Sequence, residues 1–297
     1  MTGSATLDLA IVQTKPRKGP VAGNRAMLIA AFSVLQQSPP QLVVLPEAAL
    51  TGYFLEGATY ECALSREEFA EELASAWRSV GKIPVEIVSG FYENDGGTLY
   101  NSAIAISVEP AQTRILHVHR KLFLPTYGVF DEARFVSRGR SVELYDGFAT
   151  KTAIVICEDA WHAIVPTIAA VKGARLLLVP SASPGRGPVD GEFESLRHWR
   201  ELLAGAAREH GIFIVYAGLT GFEGGKGMTG GSCVVDPFGQ TLVRAPIFDP
   251  AIVRARLDLR EMEIARASLP LIGDLGDVLP DLLRDSFFPN VLGKVVP

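Results

Sequence analysis

Short β-branched runs alternate with segments of helical periodicity along most of the chain. Leu7–Gln13 and Thr152–Ile156 have the apolar, β-branched composition of strands, whereas Glu192–His210 places apolar residues at helical spacing before Gly211, a typical stop. This alternation favours a layered α/β architecture over a helix bundle or an all-β barrel. Ligand sites in such folds collect at strand ends, so polar residues there are candidates for chemistry.

Further elements are predicted in the same way. Ser65 and Glu68 form a capping-box pattern at the start of an amphipathic helix. A helix is predicted over Asn24–Gln37, and strands over Leu42–Leu45, Val85–Phe91, Leu99–Ser107, Thr113–Val118, Arg175–Val179 and Ile212–Leu219. Ser232–Val243 has the pattern of a hairpin, which we expect a strand over Ile252–Leu257 to join.

No linker, fixed-period repeat or low-complexity segment divides the 297 residues, which predicts a single domain over residues 1–297. From about residue 270 the chain mixes apolar residues with prolines, so we expect an extended tail that packs over a neighbouring surface. The three cysteines, Cys62, Cys157 and Cys233, are widely separated and are expected to be free thiols.

The composition, with 48% hydrophobic and 21% charged residues, is that of a folded globular protein. The formal net charge is -5 and no stretch concentrates Lys and Arg, which argues against nucleic acid as a partner. The apolar runs are too short to cross a bilayer, and the first residues lack a basic segment followed by a long apolar one. A cytoplasmic protein without a membrane partner is expected.

Three polar residues directly follow predicted strands: Glu47 after LVVLP, Lys121 after HVHR and Cys157 after AIVI. Together they suit acyl transfer, because a carboxylate can take the proton of a thiol and an ammonium can stabilise an oxyanion. Lys121 is also expected to favour the thiolate of Cys157. Each residue alone also fits a structural role, as a small core Cys, a loop-capping Glu or an exposed Lys.

Other candidates have weaker support. His162 follows Cys157 by five residues, which misses the i+4 face of a helix, so a Cys–His hydrolase is a lesser alternative. His117 and His119 share one face of a strand, but without a third ligand a solvated or packed pair is favoured over a metal site. The loop SASPGRGPVDG lacks phosphate-loop spacing and fits the lid of a pocket better.

Three ordered motifs resemble the signature regions of the carbon–nitrogen hydrolase, or nitrilase, superfamily. They are LPEAALTGY (45–53), RKLFLPTYGVFDEARF (120–135) and IVICEDAWH (154–162); SASP (181–184) and GGSCVVDPFG (230–239) resemble later strands of that family. The resemblance implies a four-layer αββα sandwich of the nitrilase type. It also implies a homo-oligomer, a dimer or larger, that needs no metal or other cofactor.

The resemblance assigns roles to particular residues. It implies that Glu47 is the general base, that Lys121 stabilises the tetrahedral intermediate and that Cys157 is the nucleophile. The family's second glutamate, which positions the lysine and the substrate, falls on Glu132, with Asp131 as a competitor by adjacency. The backbone amide after the nucleophile, here that of Glu158, is implied as an oxyanion donor.

Within the superfamily, LPTYGVFDEARF and CEDAW are most similar to the glutamine-hydrolysing domain of the glutamine-dependent NAD synthetase family, although no ATP-pyrophosphatase signature follows here. Tyr127 and Glu158 match residues that help hold glutamine in that family. Ser183 and Pro184 begin the substrate loop, but Val189 stands where the family has an arginine that binds the glutamine carboxylate. Arg186 is the candidate substitute.

The function expected from these residues and the resemblance is an amidohydrolase that cleaves a small linear amide. It would release ammonia through a cysteine thioester. Nitriles and N-carbamoyl amino acids are alternative substrates. A different class of function is an ammonia-supplying partner subunit of a separate synthetase, or a non-catalytic scaffold.

Overall fold

A computed structural model describes residues 6–148, 150–189 and 192–284, which form two large sheets, two small ones and the helices that flank them. The strands are β1 (Thr6–Gln13), β2 (Leu42–Val44), β3 (Val85–Asp95), β4 (Thr98–Val108), β5 (Thr113–Arg120), β6 (Leu144–Asp146), β7 (Lys151–Ile154), β8 (Leu176–Ser181), β9 (Pro188–Val189), β10 (Glu192–Phe193), β11 (Phe213–Gly218), β12 (Thr220–Glu223), β13 (Lys226–Thr229), β14 (Cys233–Val235), β15 (Thr241–Arg244) and β16 (Ala251–Asp258). The helices are α1 (Arg25–Leu35), α2 (Thr59–Cys62), α3 (Arg66–Arg78), α4 (Glu158–Trp161), α5 (Ile164–Val171), α6 (Glu194–His210), α7 (Glu261–Ser268) and α8 (Leu271–Leu282).

Twelve of the sixteen described strands form two six-stranded sheets, ordered β16-β1-β2-β3-β4-β5 and β15-β14-β11-β8-β7-β6, and the other four form the pairs β9–β10 and β12–β13. The period-2 alternation of β1 shows how they are layered: Leu9 and Ile11 lie in the core between the sheets, while Ala10 and Val12 pack with α1 and α3. Helices α5 and α6 cover the outer face of the second sheet. The predicted four-layer αββα sandwich is confirmed.

Local signals in the sequence set several element boundaries. The capping box of α3 is present, with Ser65 and Glu68 hydrogen-bonded to each other's backbone N–H groups. Helix α6 ends at Gly211, which adopts a left-handed conformation with φ 57°. Three strands predicted as a meander, β3, β4 and β5, pair antiparallel in sequence order.

Two expectations about the C-terminal part need correction. The strand β16 does not join the β14–β15 hairpin but pairs antiparallel with β1, in the other sheet. Strand β1 pairs with β2 on one side only, so its other side is free to accept β16. The described part of the tail is helix α8, not an extended segment. Leu271, Leu275, Val278 and Leu282 recur at i, i+4, i+7 and i+11, a helical period.

Helix α8 lies against α5 and α6, yet none of its residues is buried. The last 13 residues of the tail, 285–297, lie outside the described part of the chain, so the expected packing of the whole tail stays a prediction, as does the single-domain extent. Within the described ranges, no helix has both the length and the apolar character needed to cross a membrane.

Candidate active site

Glu47 lies just beyond the end of β2, in a turn held tightly against β3. The Gly90 N–H donates to the Pro46 carbonyl at 2.9 Å, and a Cβ added at Gly90 would overlap the Glu47 backbone. Only glycine allows this approach. The Glu47 side chain is fully buried, so its carboxylate is fixed at the interior end of the sheet.

Cys157 lies at a sharp turn between β7 and α4. Its backbone has φ 44° and ψ -101°, a left-handed conformation that is strained for a residue with a side chain. The Cys157 N–H donates to the Pro180 carbonyl at 3.0 Å, which ties the turn to the end of β8. The residue is 8% exposed, so its thiol lies in a largely dry site at this turn.

Lys121 follows β5 and places its ammonium between two carboxylates. Its Nζ donates to Glu47 Oε1 at 2.7 Å and to Glu132 Oε2 at 2.7 Å, with the lysine side chain fully buried. Glu132 is also buried, whereas Asp131 is exposed and lies 3.7 Å from Arg134. The structure therefore places Glu132 beside Lys121 and leaves Asp131 at the surface.

Two residues that the sequence analysis missed complete this network. Asn101 Nδ2 donates to Glu47 Oε1 at 2.7 Å and forms a short hydrogen bond with Glu132 Oε1. The Tyr53 hydroxyl donates to Glu132 Oε2 at 2.9 Å. A signal was available for Tyr53, which closes the first motif, but Asn101 lies in a strand that also contains Thr98, Ser102 and Ser107, so its polarity did not single it out.

The charges of this buried group act on one another. Burial raises the pKa of Glu47, an effect that Lys121 partly opposes and the charge of Glu132 reinforces. Burial acts to lower the pKa of Lys121, but Glu132 and Glu47 outweigh it and hold that pKa well above its ordinary value. Lys121 therefore remains an ammonium, and Glu47 is a stronger base than an exposed glutamate.

Lys121 lowers the pKa of the Cys157 thiol, as expected, but the rest of the site outweighs this effect. Burial raises the pKa of the Cys157 thiol, and the charge of Glu47 raises it further, whereas Lys121, Ser181 and the Ala182 amide lower it only in part. The thiol is therefore neutral at rest. For this thiol to act as a nucleophile its proton would have to leave, and Glu47 is a carboxylate whose charge acts on it.

Asp159 links the segments that carry Lys121 and Cys157, and it too was missed. Its Oδ1 accepts the N–H groups of Leu122 and Phe123, both at 2.9 Å, and its Oδ2 accepts that of Ile156 at 3.0 Å. The carboxylate is fully buried. Because Leu122 and Ile156 adjoin the lysine and the cysteine, one side chain fixes the spacing of both; its position inside the CEDAW motif was the available signal.

The substrate-binding candidates divide into two groups. The Tyr127 hydroxyl donates to Glu158 Oε2 at 2.9 Å, and the Arg186 guanidinium carbon lies 5.7 Å from the centroid of the Tyr127 ring. Arg186 also lies 5.5 Å from the Phe130 ring and 5.8 Å from that of Trp161. Its buried Nε has no hydrogen-bond partner among the described residues, so it has capacity for a ligand.

Ser183, the remaining substrate-binding candidate, has different hydrogen-bond partners. Its hydroxyl accepts a hydrogen bond from Trp199 Nε1 at 3.0 Å, and its carbonyl accepts one from the Thr229 N–H at 3.1 Å. The residue is buried. Its polar groups therefore connect the loop to α6 and β13, and within the described ranges no hydrogen bond joins its side chain to Tyr127, Glu158 or Arg186.

The histidines considered for a Cys–His hydrolase or a metal site each contact another side chain. His119 Nε2 lies 2.9 Å from Asp159 Oδ2, and His117 stacks on Tyr145 with 5.7 Å between ring centroids. The His162 ring stacks on Phe123 at 3.6 Å. Among the described residues, no group of three or more His, Cys, Asp or Glu is arranged to hold a metal ion.

Cys62 and Cys233 are free thiols in buried positions outside this network. Burial raises the pKa of the Cys62 thiol and raises that of Cys233 to about 12. A buried thiol with a raised pKa and no adjacent base is a poor nucleophile. Of the three cysteines, Cys157 is the one that lies within the electrostatic reach of Glu47 and Lys121.

Nucleophilic acyl chemistry requires a thiol close to a carboxylate and an ammonium. The site has this arrangement, with the thiol at a strained turn and all three groups just beyond the ends of strands. The sequence profile of the Carbon-nitrogen hydrolase family matches residues 8–267, and the chain belongs to this family.

Curated relatives include two glutamine-dependent NAD(+) synthetases. That of Thermotoga maritima is 30% identical over 262 residues, which cover 86% of this chain and 42% of the relative. That of Rhodobacter capsulatus is 28% identical over 295 residues, covering 96% of this chain and 51% of the relative. The chain thus spans about half the length of these relatives.

Solved structures share the fold. A carbon-nitrogen hydrolase from Helicobacter pylori G27 superposes with a TM-score of 0.82 at 23% identity, covering 94% of this chain and 99% of that one. An amidase from Nesterenkonia sp. AN1, in complex with acrylamide, gives a TM-score of 0.71 at 23% identity and covers 90% and 97% of the two chains. The predicted nitrilase-type sandwich is confirmed.

Proposed function

We propose that the protein is a cysteine amidohydrolase that cleaves a small primary amide to the acid and ammonia. The observation that carries the proposal is the position of Lys121, whose ammonium is held between Glu47 and Glu132 near the only thiol in electrostatic contact with them among the described residues. Family membership and the fold shared with an amidase support it.

In the acylation step, Cys157 Sγ attacks the amide carbonyl carbon while Glu47 takes the thiol proton. The oxyanion that forms is stabilised by the Lys121 ammonium and by the backbone N–H of Glu158. Collapse of the tetrahedral intermediate breaks the C–N bond, and Glu47 returns the proton to the leaving nitrogen as ammonia departs. A thioester on Cys157 remains.

In the second step, Glu47 takes a proton from water as the water oxygen attacks the thioester carbonyl. Lys121 and the Glu158 amide stabilise the second oxyanion, and the C–S bond breaks to release the acid. The proton held by Glu47 then restores the Cys157 thiol. Glu132 positions Lys121, because its carboxylate binds the ammonium at 2.7 Å and is itself fixed by Tyr53.

The group formed by Tyr127, Glu158 and Arg186 favours an amide that carries both an ammonium and a carboxylate. Glu158, bonded to Tyr127, offers a negative group to an ammonium, and Arg186 offers an unpaired buried Nε to a carboxylate. The aromatic rings around Arg186 fix its guanidinium by cation–π contact. An amino-acid amide such as glutamine fits this pattern better than a nitrile or a simple aliphatic amide.

The test measures ammonia release from four matched compounds: glutamine, its analogue without the α-amino group, its analogue without the α-carboxylate, and butyramide. Glutamine should be the best substrate, and Arg186→Gln should remove the preference for the carboxylate. Intact-mass analysis should show an acyl adduct that disappears in Cys157→Ser and persists in Cys62→Ser. Hydrolysis by the Cys157→Ser protein at the wild-type rate would refute the proposal.

A second candidate function is the supply of ammonia to a synthetase, favoured by the observation that the curated relatives, of which this chain spans about half, are glutamine-dependent NAD(+) synthetases. Such a subunit would keep the same chemistry but depend on its partner. Glutamine hydrolysis by the isolated chain at a rate that does not rise when cell extract is added would argue against it.

We also propose that the protein is a homo-oligomer. Ile164, Ile168 and Val171 of α5 are exposed, and so are Val278 and Leu282 of the adjacent α8. A second copy of this apolar surface is the expected partner, since like apolar surfaces pair in two-fold dimers. Light scattering should give at least a dimer, and Ile164→Glu should shift the protein toward monomer; a wild-type monomer at micromolar concentration would contradict the proposal.

A further inference from the structure

A cleft of about 340 Å³ lies along edge strand β5 and is bordered by Arg120, the residue before Lys121. We call it the arginine cleft, because Arg66, Arg120, Arg138 and Arg140 line it. Its lining contains one carboxylate, that of Glu143. This density of positive charge contrasts with the net charge of -5 on the whole chain.

Two of the four arginines form a fixed wall of the cleft. Arg120 donates to both carboxylate oxygens of Glu93 at 2.8 Å and to Asp95 at 2.6 Å, and its guanidinium lies 3.9 Å from the centroid of the Tyr100 ring. Arg66 lies 3.4 Å from Asp95. These ion pairs hold both guanidinium groups in place and neutralise much of their charge.

The other two arginines, Arg138 and Arg140, have no ion pair or hydrogen bond within the described ranges of the chain. Glu143 does not neutralise them, because it pairs with Lys172 at 2.8 Å. Two unpaired guanidinium groups therefore line the same cleft. Their repulsion is relieved only by water, dissolved counter-ions or a bound anion.

The backbone between these two arginines is fixed. The Gly139 N–H donates to the Lys121 carbonyl at 2.7 Å, and a Cβ added at Gly139 would overlap the Arg120 carbonyl. The short segment is therefore held against β5 by a contact that only glycine permits. Anchoring of this kind presents Arg138 and Arg140 from a defined position, which lowers the entropy cost of binding a ligand.

His117 adds an independent sign of a polar ligand. It lines the cleft, and its Nε2 is buried without a hydrogen-bond partner among the described residues. Burial, together with the charge of His119, lowers the pKa of His117 to about 4, so the ring is neutral near pH 7 and can donate one N–H. Buried polar nitrogens normally have a partner.

We propose that the arginine cleft is a binding site for a small phosphorylated anion, held chiefly by Arg138 and Arg140. The planar fork of arginine matches the oxygens of a phosphate group, and two forks that line one cleft suit a diphosphate better than a monophosphate. The cleft volume lies at the small end of ligand pockets, which run from about 300 to about 1,000 Å³. The site is separate from the proposed amidohydrolase chemistry and does not depend on it.

Isothermal titration calorimetry with inorganic pyrophosphate and with inorganic phosphate tests the proposal, with sodium chloride at matched ionic strength as the reference. Wild-type protein should bind pyrophosphate saturably and more tightly than phosphate. The Arg138→Ser/Arg140→Ser double variant should lose at least about tenfold in pyrophosphate affinity, because it loses two charge-assisted contacts.

The matched control is Arg256→Ser/Arg284→Ser, which removes the same charge from two exposed arginines outside the cleft. It should bind pyrophosphate like the wild type, and circular dichroism should show that both double variants are folded. The proposal is overturned if the wild type shows no saturable pyrophosphate binding up to millimolar concentration. It is also overturned if the control loses as much affinity as the cleft variant, because binding would then reflect net charge alone.

Discussion

The ammonium of Lys121 lies 2.7 Å from the carboxylate of Glu47, with both side chains fully removed from solvent. Such a pair carries a large desolvation cost, which contacts from Asn101 and the Ala182 amide to Glu47 help to offset. Stability alone does not account for it, since apolar residues would fill the same space at lower cost. The proposed role of Glu47, a base that accepts a proton next to a permanent cation, accounts for it.

Glu47→Gln should abolish turnover while the protein stays folded. The amide cannot take the thiol proton or activate water, and loss of general acid–base catalysis costs about 10² to 10⁴ in rate. Ammonia release measures the effect, and Glu86→Gln, which changes another buried carboxylate, is the control. More than about a tenth of wild-type activity in Glu47→Gln would place the base elsewhere, with Glu132 next in line.

Lys121→Ala should reduce kcat by about 10² to 10³, comparable to the loss of an oxyanion donor. It should also lower stability, because Glu47 and Glu132 are left as buried carboxylates without a counter-charge; breaking a buried pair in this way costs about 3 to 5 kcal/mol. Urea unfolding followed by fluorescence measures the second effect. A Glu47→Gln/Lys121→Ala double variant whose loss equals the product of the single losses would contradict a shared transition state.

The pH dependence of kcat/KM should show an acidic limb with a midpoint above the ordinary glutamate value of 4.5. The cause is burial, which raises the pKa of Glu47, and the base works only when ionised, so activity should rise as pH rises through that pKa. Limited iodoacetamide should label Cys157 before Cys62 or Cys233, and the rate of Cys157 labelling should show the same acidic limb. In Glu47→Gln the labelling rate should show no such limb. Preferential labelling of Cys233 with activity retained would overturn the assignment.

Asp159→Asn should lower kcat about 10²-fold with little change in KM, since displacement of catalytic groups by about 1 Å has effects of that size. The amide cannot accept all of the hydrogen bonds that the Asp159 carboxylate accepts from Leu122, Phe123 and Ile156. Glu86→Gln is again the control, because it perturbs a buried carboxylate bonded to Tyr145. If Asp159→Asn and Glu86→Gln lose the same stability and Asp159→Asn keeps the wild-type kcat, Asp159 has a structural role only.

Gly90→Ala should impair activity more than the size of the change suggests. The added methyl group would overlap the Glu47 backbone, so the turn that carries the base has to move. Gly205→Ala is the control, because it lies in α6 with open space around the added Cβ and should stabilise the protein by about 0.5 to 1 kcal/mol. Wild-type kcat in Gly90→Ala would show that the turn can shift without consequence.

The sequence by itself determined much of the secondary structure and three positions of the site. Period-2 and helical patterns are local, so β1, α3 and α6 could be predicted from neighbouring residues alone. Glu47, Lys121 and Cys157 could be located because each follows a strand and lies in a motif that resembles a known family.

Only the tertiary structure decided the rest, because the deciding contacts join residues far apart in the chain. The pairing of β16 with β1 depends on which sheet edge is open, and the state of the Cys157 thiol depends on burial and on Glu47, 110 residues away. Asp159 and Asn101 gain their importance from what surrounds them in space. The same holds for Arg138 and Arg140, which become a site only where the fold brings them to the cleft beside Arg120 and leaves them without a counter-charge among the described residues.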